Sequence, residues 1–401
     1  MDKKNKFLTA ISIGCATVWF STHCGAGFAS GTQELQYFAN HGWFGVFMPI
    51  ITFIIIAVTY YVGLETARQT DKWGYEGWSK EAYGGASKFL TPAMDLSIVI
   101  TTIAATAASI ATGGVLGNQY LNLPIWVGSA FMFVAITLLV IFGENIVRKN
   151  AMIMTSVILI IILIVMVAGL IKFAPDIARL MGEHYVNPAS SKFSIKGTDE
   201  TVEGSLGNAI LWALAYAGFQ VGAIGGITAS FKGAKSKAEA KGAMTLGCIL
   251  NIFMLVGICL LIFSGMPEIY TDEQARLLPT VFIVNQLDIP ALGVLYPLLL
   301  FLALITTGVG FVFGILTRIE PYVLNNMENK VAKKAIISVA VLIVCFMISK
   351  LGLMFVIKVA YKYLGIFNWL FIILPLWTLG FKNIKRRDRL SATEASDNMN
   401  A

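Results

Sequence analysis

Apolar residues along this chain fall in long, nearly unbroken runs rather than in the stripes of a soluble helix or the alternation of a half-buried strand. A helix needs about 20 predominantly apolar residues to cross the hydrocarbon of a bilayer. By that rule ten spans are read, the ninth somewhat short: 7–38, 43–67, 90–116, 124–142, 150–171, 206–231, 243–263, 290–315, 334–349 and 364–381. The segment 351–362 is short and carries Lys358 and Lys362, so it is expected to lie as a surface helix ahead of the last span. The expected fold class is an all-α polytopic membrane protein, one transmembrane unit over 1–401 with a polar tail at 382–401.

Composition agrees and excludes the competing classes. Hydrophobic residues make up 57% of the chain and charged residues 13%, about half of the roughly 25% usual in globular proteins. The mean hydropathy is +0.74. A soluble enzyme, a secreted disulfide scaffold or a nucleic-acid binder would need more polar surface. Cys15, Cys24, Cys248, Cys259 and Cys345 all lie inside apolar runs, which argues against a disulfide framework or a Cys-x-x-Cys metal site. Lys3, Lys4 and Lys6 precede a run that is too long for a cleavable leader and lacks its small-residue cleavage pattern. The net charge of +7 is mostly topology. Alternating ten spans from a cytoplasmic N-terminus places the basic clusters of 68–89, 232–241, 318–334 and 382–389 on the cytoplasmic side, as the positive-inside rule requires. Both termini are then cytoplasmic, the expected location is the cell inner (plasma) membrane, and the positive loops can also attract anionic lipid.

Spans one and six stand apart. Span one holds Ala26-Gly27-Phe28-Ala29-Ser30-Gly31 and span six holds Ala217-Gly218-Phe219-Gln220-Val221-Gly222, one shared A-G-F-x-x-G pattern at mid-membrane. Spans five apart run in opposite directions. Glycine-rich interruptions at matching positions of two halves point to a 5+5 inverted repeat, about 7–171 and 206–381, with helices 1 and 6 discontinuous and a binding site at the breaks. The Gly-x-x-x-Gly spacing at 27/31, 218/222 and 310/314 also suits close helix packing; the matched placement favours breaks.

The stretch GAGFASGTQELQYF, followed one span later by GLETARQ, resembles the N-terminal signature of the YkvI-type bacterial membrane proteins, which are grouped with LeuT-fold secondary transporters (amino acid–polyamine–organocation-like). The resemblance implies that fold and the transport class, with no agreed substrate. The eighth span, LFLALITTGVGFVFG, is similar to the helix of sodium-coupled LeuT-fold transporters in which two adjacent hydroxyl residues bind sodium. Carried over by motif, the ligands are the Thr306 and Thr307 hydroxyls and the Ala303 carbonyl, with the Ser21 and Cys24 carbonyls of span one. Sodium is a hard cation that prefers oxygen, and a half-helix C-terminus offers unpaired carbonyls. Threonines within membrane helices also bond back to their own helix, and an adjacent pair cannot both face one site squarely. Some relatives use an Asn after the span-one break for a second sodium; Phe28 stands there.

Substrate contact is expected at the breaks. Backbone amides of Gly25, Ala26 and Gly27 suit a carboxylate, Phe219 would wall the site, and Gln220 would offer amide hydrogen bonds. Cys24 and His23 adjoin the same break. The small residues of span three (Ala104, Ala105, Ala107, Ala108, Ser109) leave room for a ligand or simply pack. Ionisable groups at depth are costly and often functional. His23 is a proton or substrate contact, or a neutral ring bonded to a freed carbonyl. Glu34 is a gate or proton candidate, and Asp95 is a proton candidate or a solvated residue near a span end. Of the aromatics that could cage an ammonium (Trp19, Trp43, Trp212, Tyr216, Phe219, Trp369), only Phe219 is placed by an argument.

The function expected is secondary active transport of a small molecule by alternating access: a sodium-coupled symporter of an amino acid or related zwitterion or amine. Sodium is then the coupling ion, no other cofactor is needed, and no nucleic-acid partner is expected. Proton coupling or exchange, and a non-transporting receptor on the same fold, are the alternatives. A membrane enzyme is disfavoured, since the sequence has three histidines and lacks H-E-x-x-H and G-x-S-x-G.

Overall fold

The computed structural model describes residues 6–23, 26–142, 144–196, 200–320, 322–324 and 326–400, and these are overwhelmingly helical. In chain order the helices are α1 (Ala10–His23), α2 (Ala26–Ser30), α3 (Thr32–Tyr37), α4 (Met48–Thr70), α5 (Tyr75–Tyr83), α6 (Ser87–Leu121), α7 (Ile125–Phe142), α8 (Glu144–Lys172) and α9 (Ala174–Gly182). A two-residue strand pair, β1 (Ser190–Ser191) and β2 (Thr201–Val202), closes the long connection. Then follow α10 (Leu206–Val221), α11 (Ile224–Ser230), α12 (Lys237–Ser264), the short α13 (Glu268–Thr271), α14 (Glu273–Leu277) and α15 (Pro279–Asn285), then α16 (Pro290–Ile319), α17 (Lys330–Ser349) and a final helix α18 (Leu353–Thr393). Among the described residues, seven helices are long and apolar enough to cross a membrane, and nine if two bent pairs each count as one span. The expected span one, split into α1, α2 and α3, makes the tenth.

One expectation is overturned at the C-terminal end. The region 351–362 is not a separate surface helix, because a single helix runs from Leu353 to Thr393. Leu353, Val356, Ile357 and Tyr361 face the bundle and are buried. The lysines that argued against a buried position are accommodated. Lys362 Nζ donates to the Ser194 carbonyl at 2.7 Å and lies over the rings of Phe193, Trp212 and Tyr363. A long apolar stem and a paired head let a lysine sit where its charge alone forbids it. Three π-helical turns, Val356–Ala360, Trp369–Ile373 and Leu376–Gly380, punctuate this helix, and helix continues to Asn400 through the stretch read as a polar tail.

Segments that the charge pattern puts on one side do gather there. Lys237 pairs with Asp388 at 2.7 Å, and Arg387 donates to Gln69 Oε1 at 2.8 Å and to the Glu81 carbonyl. Arg68 grips the fully buried Glu65 through two contacts of 2.6 and 2.8 Å. Thr9, just ahead of α1, donates to Glu239 at 2.9 Å. This is called the basic side below, and its opposite the far side.

Both interrupted spans are broken as the repeat requires. Span six bends by 54° between α10 and α11. In span one, α1 is described to His23 and α2 from Ala26, and the chain turns at Gly31, between α2 and α3, whose φ is +79°. Only glycine adopts that conformation without strain, and a Cβ there would collide with Thr280 Oγ1. Packing and breaking divide the other glycines. A Cβ on Gly218 would run into the Gly365 carbonyl, so this glycine packs α10 against α18, whereas Gly222 caps the end of α10 at the bend. A Cβ added to Gly310 or Gly314 would have no atom within 4 Å, so these two do not serve close packing here.

A broken helix in hydrocarbon must have its freed carbonyls satisfied by protein or a wet cavity. At span six the Gly218 carbonyl accepts from Asn368 Nδ2 at 2.9 Å, and the Gln220 carbonyl accepts from the Tyr60 hydroxyl at 2.8 Å. Ser97 in turn donates to Asn368 Oδ1 at 2.5 Å, fixing the amide. At span one the Gly27 carbonyl accepts from Ser30 at 2.8 Å and the Ala29 carbonyl from Tyr296 at 2.6 Å.

Two stability measurements check this account. Gly31→Ala is expected to cost about 1–3 kcal/mol through strain and collision, and to lower the melting temperature of the purified protein. Gly14→Ala, in the open face of α1 with nothing within 4 Å, should be neutral or stabilising by up to about 1 kcal/mol. Equal effects from the two would show that Gly31 is not conformationally required. Asn368→Leu strands the Gly218 carbonyl and Ser97, and should destabilise by about 1–3 kcal/mol; an unchanged melting temperature would mean that the break is satisfied another way.

Candidate functional site

A cavity of about 70 Å³ lies against both breaks, room for roughly five waters by the usual measure. From span one it is lined by Thr22 and His23 at the end of α1, by Gly27, Phe28 and Ser30 of α2, and by Gln33 of α3. Helix α6 adds Ala105, Ala108, Ser109 and Thr112, and α10 adds Phe219 and Gln220 where span six bends. Leu304, Thr307 and Phe311 of α16 and Leu353, Ile357 and Tyr361 of α18 complete it. The lining combines hydroxyls, two amides and one imidazole with aromatic and aliphatic walls. Among the described residues, no Asp, Glu, Lys or Arg is part of it.

His23 is held from two sides. Its Nε2 shares a 2.8 Å hydrogen bond with the Tyr216 hydroxyl, and the ring stands edge-on to Phe53 and Phe28. Asn251 of α12 stands next to the ring, yet neither its Oδ1 nor His23 Nδ1 has a partner within hydrogen-bond distance. If Tyr216 donates to Nε2, then Nδ1 carries the hydrogen and turns it toward that free amide oxygen. The partners of the ring are thus side chains, not the freed helix carbonyl considered from sequence. Phe219 closes the wall opposite by stacking on Tyr361, centroids 3.8 Å apart and planes 14° from parallel.

The other expected residues divide clearly. Gly27, His23, Phe219 and Gln220 converge on the cavity. Ala26 is the first described residue of α2, next to Gly27 in sequence, and Cys24 and Gly25 lie outside the described residues. Thr307 lines the cavity, while its neighbour Thr306 donates to the Leu302 and Ala303 carbonyls of its own helix at 3.0 and 3.1 Å. Ala303 is buried. The Ser21 hydroxyl bonds back to Val18 at 3.0 Å. Of the small residues in span three, Ala105, Ala108 and Ser109 reach the cavity and Ala104 and Ala107 do not. Asp95 is half-buried and accepts from the Tyr75 hydroxyl, away from the lining. Glu34 is wholly buried one helical turn beyond Ser30. Trp19, Trp212 and Tyr216 are packed in the core, Trp369 donates to the Leu214 carbonyl and Trp43 packs on Phe44 and His184, so Phe219 is the one aromatic of that group in the lining.

Several lining residues were not singled out from sequence. Thr22, Ser30 and Gln33 follow from the break itself, each within a turn or two of it. Leu353, Ile357 and Tyr361 carry a readable signal, one residue every fourth position on one helix face, which was obscured by assigning their segment to the surface.

The two ends of the cavity differ. On the far side, every residue from Phe28 to Gly42 is buried, and the Tyr37 hydroxyl is tied to the Ile357 carbonyl at 2.7 Å. Toward the basic side, Thr22 is exposed, as are Gly14 and Thr17 on the same face of α1 and Gly310 and Gly314 on α16. The site is therefore packed shut on the far side, while Thr22 leaves its lining exposed toward the basic side.

Comparison with solved structures places this arrangement. The chain is similar to a Na+-coupled sialic acid symporter in a substrate-bound, outward-open state (TM-score 0.58, 12% identity, covering 92% of this chain and 79% of that one). It is similar to MhsT in complex with L-phenylalanine (0.59, 11%, 94% and 97%), and to the manganese transporter of Eremococcus coleocola (0.52, 16%, 92% and 78%). The sequence matches no family model and no curated protein. At such identities the likeness is one of architecture, and the architecture is the LeuT fold, with its two discontinuous helices at α1–α3 and α10–α11.

Proposed function

We propose that this protein is a secondary transporter, a sodium-coupled symporter of an amino acid or a related small zwitterion or amine. The observation that carries the reading is the cavity: it sits at both helix breaks, packed shut on the far side, and is lined by neutral polar groups between aromatic walls. A lining without net charge suits a ligand without net charge, and a volume of about 70 Å³ suits a small one. The fold is shared with proteins that handle a sugar acid, an amino acid and a metal ion, so the lining, not the fold, has to specify the substrate. Among the described residues no three His, Cys, Asp or Glu come together to hold a metal, which favours an organic substrate over a transition metal. The resemblance to the YkvI-type proteins fits the same reading.

In this proposal the substrate carboxylate meets the backbone amides at Ala26 and Gly27, while Gln220 and Gln33 hold its polar atoms and Phe219 covers it. Sodium is carried as co-substrate. Thr307 offers a hydroxyl oxygen from the cavity wall, of the hard-donor type that sodium prefers. Thr306 keeps lone pairs free although its hydrogen is committed to its own helix. Together with the Ala303, Ser21 and Cys24 carbonyls these are the proposed ion ligands. The basic side is read as cytoplasmic from the charge distribution. Lifting of α2–α3 and the adjoining part of span six would admit substrate from outside. The state described above is the later one, closed outside and open inside, from which both cargoes leave past Thr22.

The experiment is a thermal-shift screen of the purified protein against amino acids and amines in sodium and in potassium. A ligand that binds only the folded state stabilises it by about 2.7 kcal/mol at one hundred times its Kd. We expect one ligand class to raise the melting temperature in sodium only, and Thr307→Ala to abolish that sodium dependence while leaving the unliganded melting temperature near that of the wild type. Stabilisation that is identical in potassium would remove the sodium assignment. Failure of liposomes containing the protein to accumulate that ligand would remove transport itself in favour of a receptor.

A further inference from the structure

Glu34 is wholly buried, and neither of its carboxylate oxygens has a hydrogen-bond partner. It lies on α3, in the part of span one that closes the far side. The titratable groups within electrostatic reach are Cys259 of α12 and Tyr296 of α16. Neither supplies a positive charge, and the Tyr296 hydroxyl is already committed to the Ala29 carbonyl. The hydroxyl of Thr280 on α15 packs against Gly31 and lies beside Tyr296. The other elements against α3 do not neutralise it either. Helix α10 presents Tyr216, the turn at 39–41 presents His41, which is bonded to Ser190, and α14 presents Glu273 and Arg276. Lys358 of α18 and Arg276 line a separate recess together with Gln36. Helix α2 carries no ionisable group.

An ionised carboxylate in such a place has lost its water and gained neither a counter-ion nor a hydrogen bond from a neighbouring residue, which is among the costliest arrangements in a protein interior. The packed-down far side is therefore compatible with a neutral Glu34 and resists a charged one. If α2–α3 lift, water reaches the carboxyl and the penalty disappears. We propose that Glu34 is a proton-binding site that latches the far-side half of span one: the carboxyl takes up a proton from far-side water as α2–α3 pack down, and returns it to water as they lift. The idea rests on the transport reading above only for what the latch is for. One proton bound per closure changes the closed-to-open ratio by up to tenfold per pH unit, so acid on the far side holds the protein shut there and alkali lets it open. This is a control by pH separate from the proposed sodium site, and Glu34 itself is not part of the cavity lining, although its neighbour Gln33 is.

Hydrogen–deuterium exchange of the full-length protein tests the latch without a known substrate. Peptides spanning 26–38 are followed in sodium-free buffer at pH 5.5 and 8.5, corrected for intrinsic chemical exchange and normalised to 50–62 of α4. In the wild type, exchange of 26–38 should be at least tenfold faster at pH 8.5 than at pH 5.5. In Glu34→Gln, permanently neutral, it should stay slow at both. Should that variant fold poorly, the normalised wild-type pH dependence carries the test alone, and its absence overturns the proposal. Equal pH dependence in wild type and Glu34→Gln also overturns it, as does protection that follows added sodium instead of pH. Uptake measured in parallel separates the two ideas: amino-acid accumulation without a Glu34-dependent change removes the latch and leaves the transporter, and the reverse result leaves the latch on a protein that does not transport.

Discussion

A peptide group set free inside hydrocarbon finds no water, and that single restriction organises this protein. Two helices are interrupted at mid-membrane, and each interruption releases carbonyls that would otherwise be paired within the helix. The surrounding helices exist in their present positions partly to receive them. Asn368 reaches from the last helix to the Gly218 carbonyl, Tyr60 from α4 to the Gln220 carbonyl, and Tyr296 from α16 to the Ala29 carbonyl. Each of these side chains comes from a different helix, so the breaks tie the bundle together at the depth where they would otherwise weaken it.

The same arrangement makes room for a ligand. The cavity lies against the same interruptions, and Ser30, which serves the Gly27 carbonyl, also lines it. Its lining is composed of what a neutral guest requires: hydroxyls, amides, a ring nitrogen and aromatic faces, with charge kept away at the basic side and in the far-side recess. His23 belongs to both systems, because it lines the cavity while its ring is clamped by Tyr216 and two phenylalanines. Its ring edge is thus held in place at the wall of the site by neighbours on several helices.

Much of this was legible in the sequence because hydropathy and glycine placement are local signals. The ten runs, the paired hexapeptides and the basic clusters could each be read without knowing what packs against what. His23, Gly27, Phe219, Gln220 and Thr307 were reached from the break positions and the span-eight motif alone. What could not be read depends on partners distant in sequence. Lys362 looked like a mark of the surface because nothing local reveals the Ser194 carbonyl and the three rings that receive it. Tyr361 was lost with that segment. Thr306 and Thr307 are equivalent as letters, and only the rotation of α16 decides that one faces the cavity while the other bonds to its own helix. Gly218 and Gly222 are equally alike in pattern, yet one admits a neighbouring backbone and the other ends a helix.

The last helix gathers these functions on one rod. Tyr361 stacks in the cavity wall, Asn368 serves the span-six break, and Asp388 joins Lys237 at the basic side. At 1.5 Å per residue, the distance from the first to the last is about 40 Å. Three π turns lie along it, one of them ahead of Tyr361 and two between Asn368 and Asp388. Each π turn spends one more residue than an α turn would, and so rotates everything after it. The aim of Tyr361, Asn368 and Asp388 at their three separate targets is then a property of residue count. For this helix length is information: a single deletion between the anchors would leave its hydrophobicity intact and turn its contacts away from their partners.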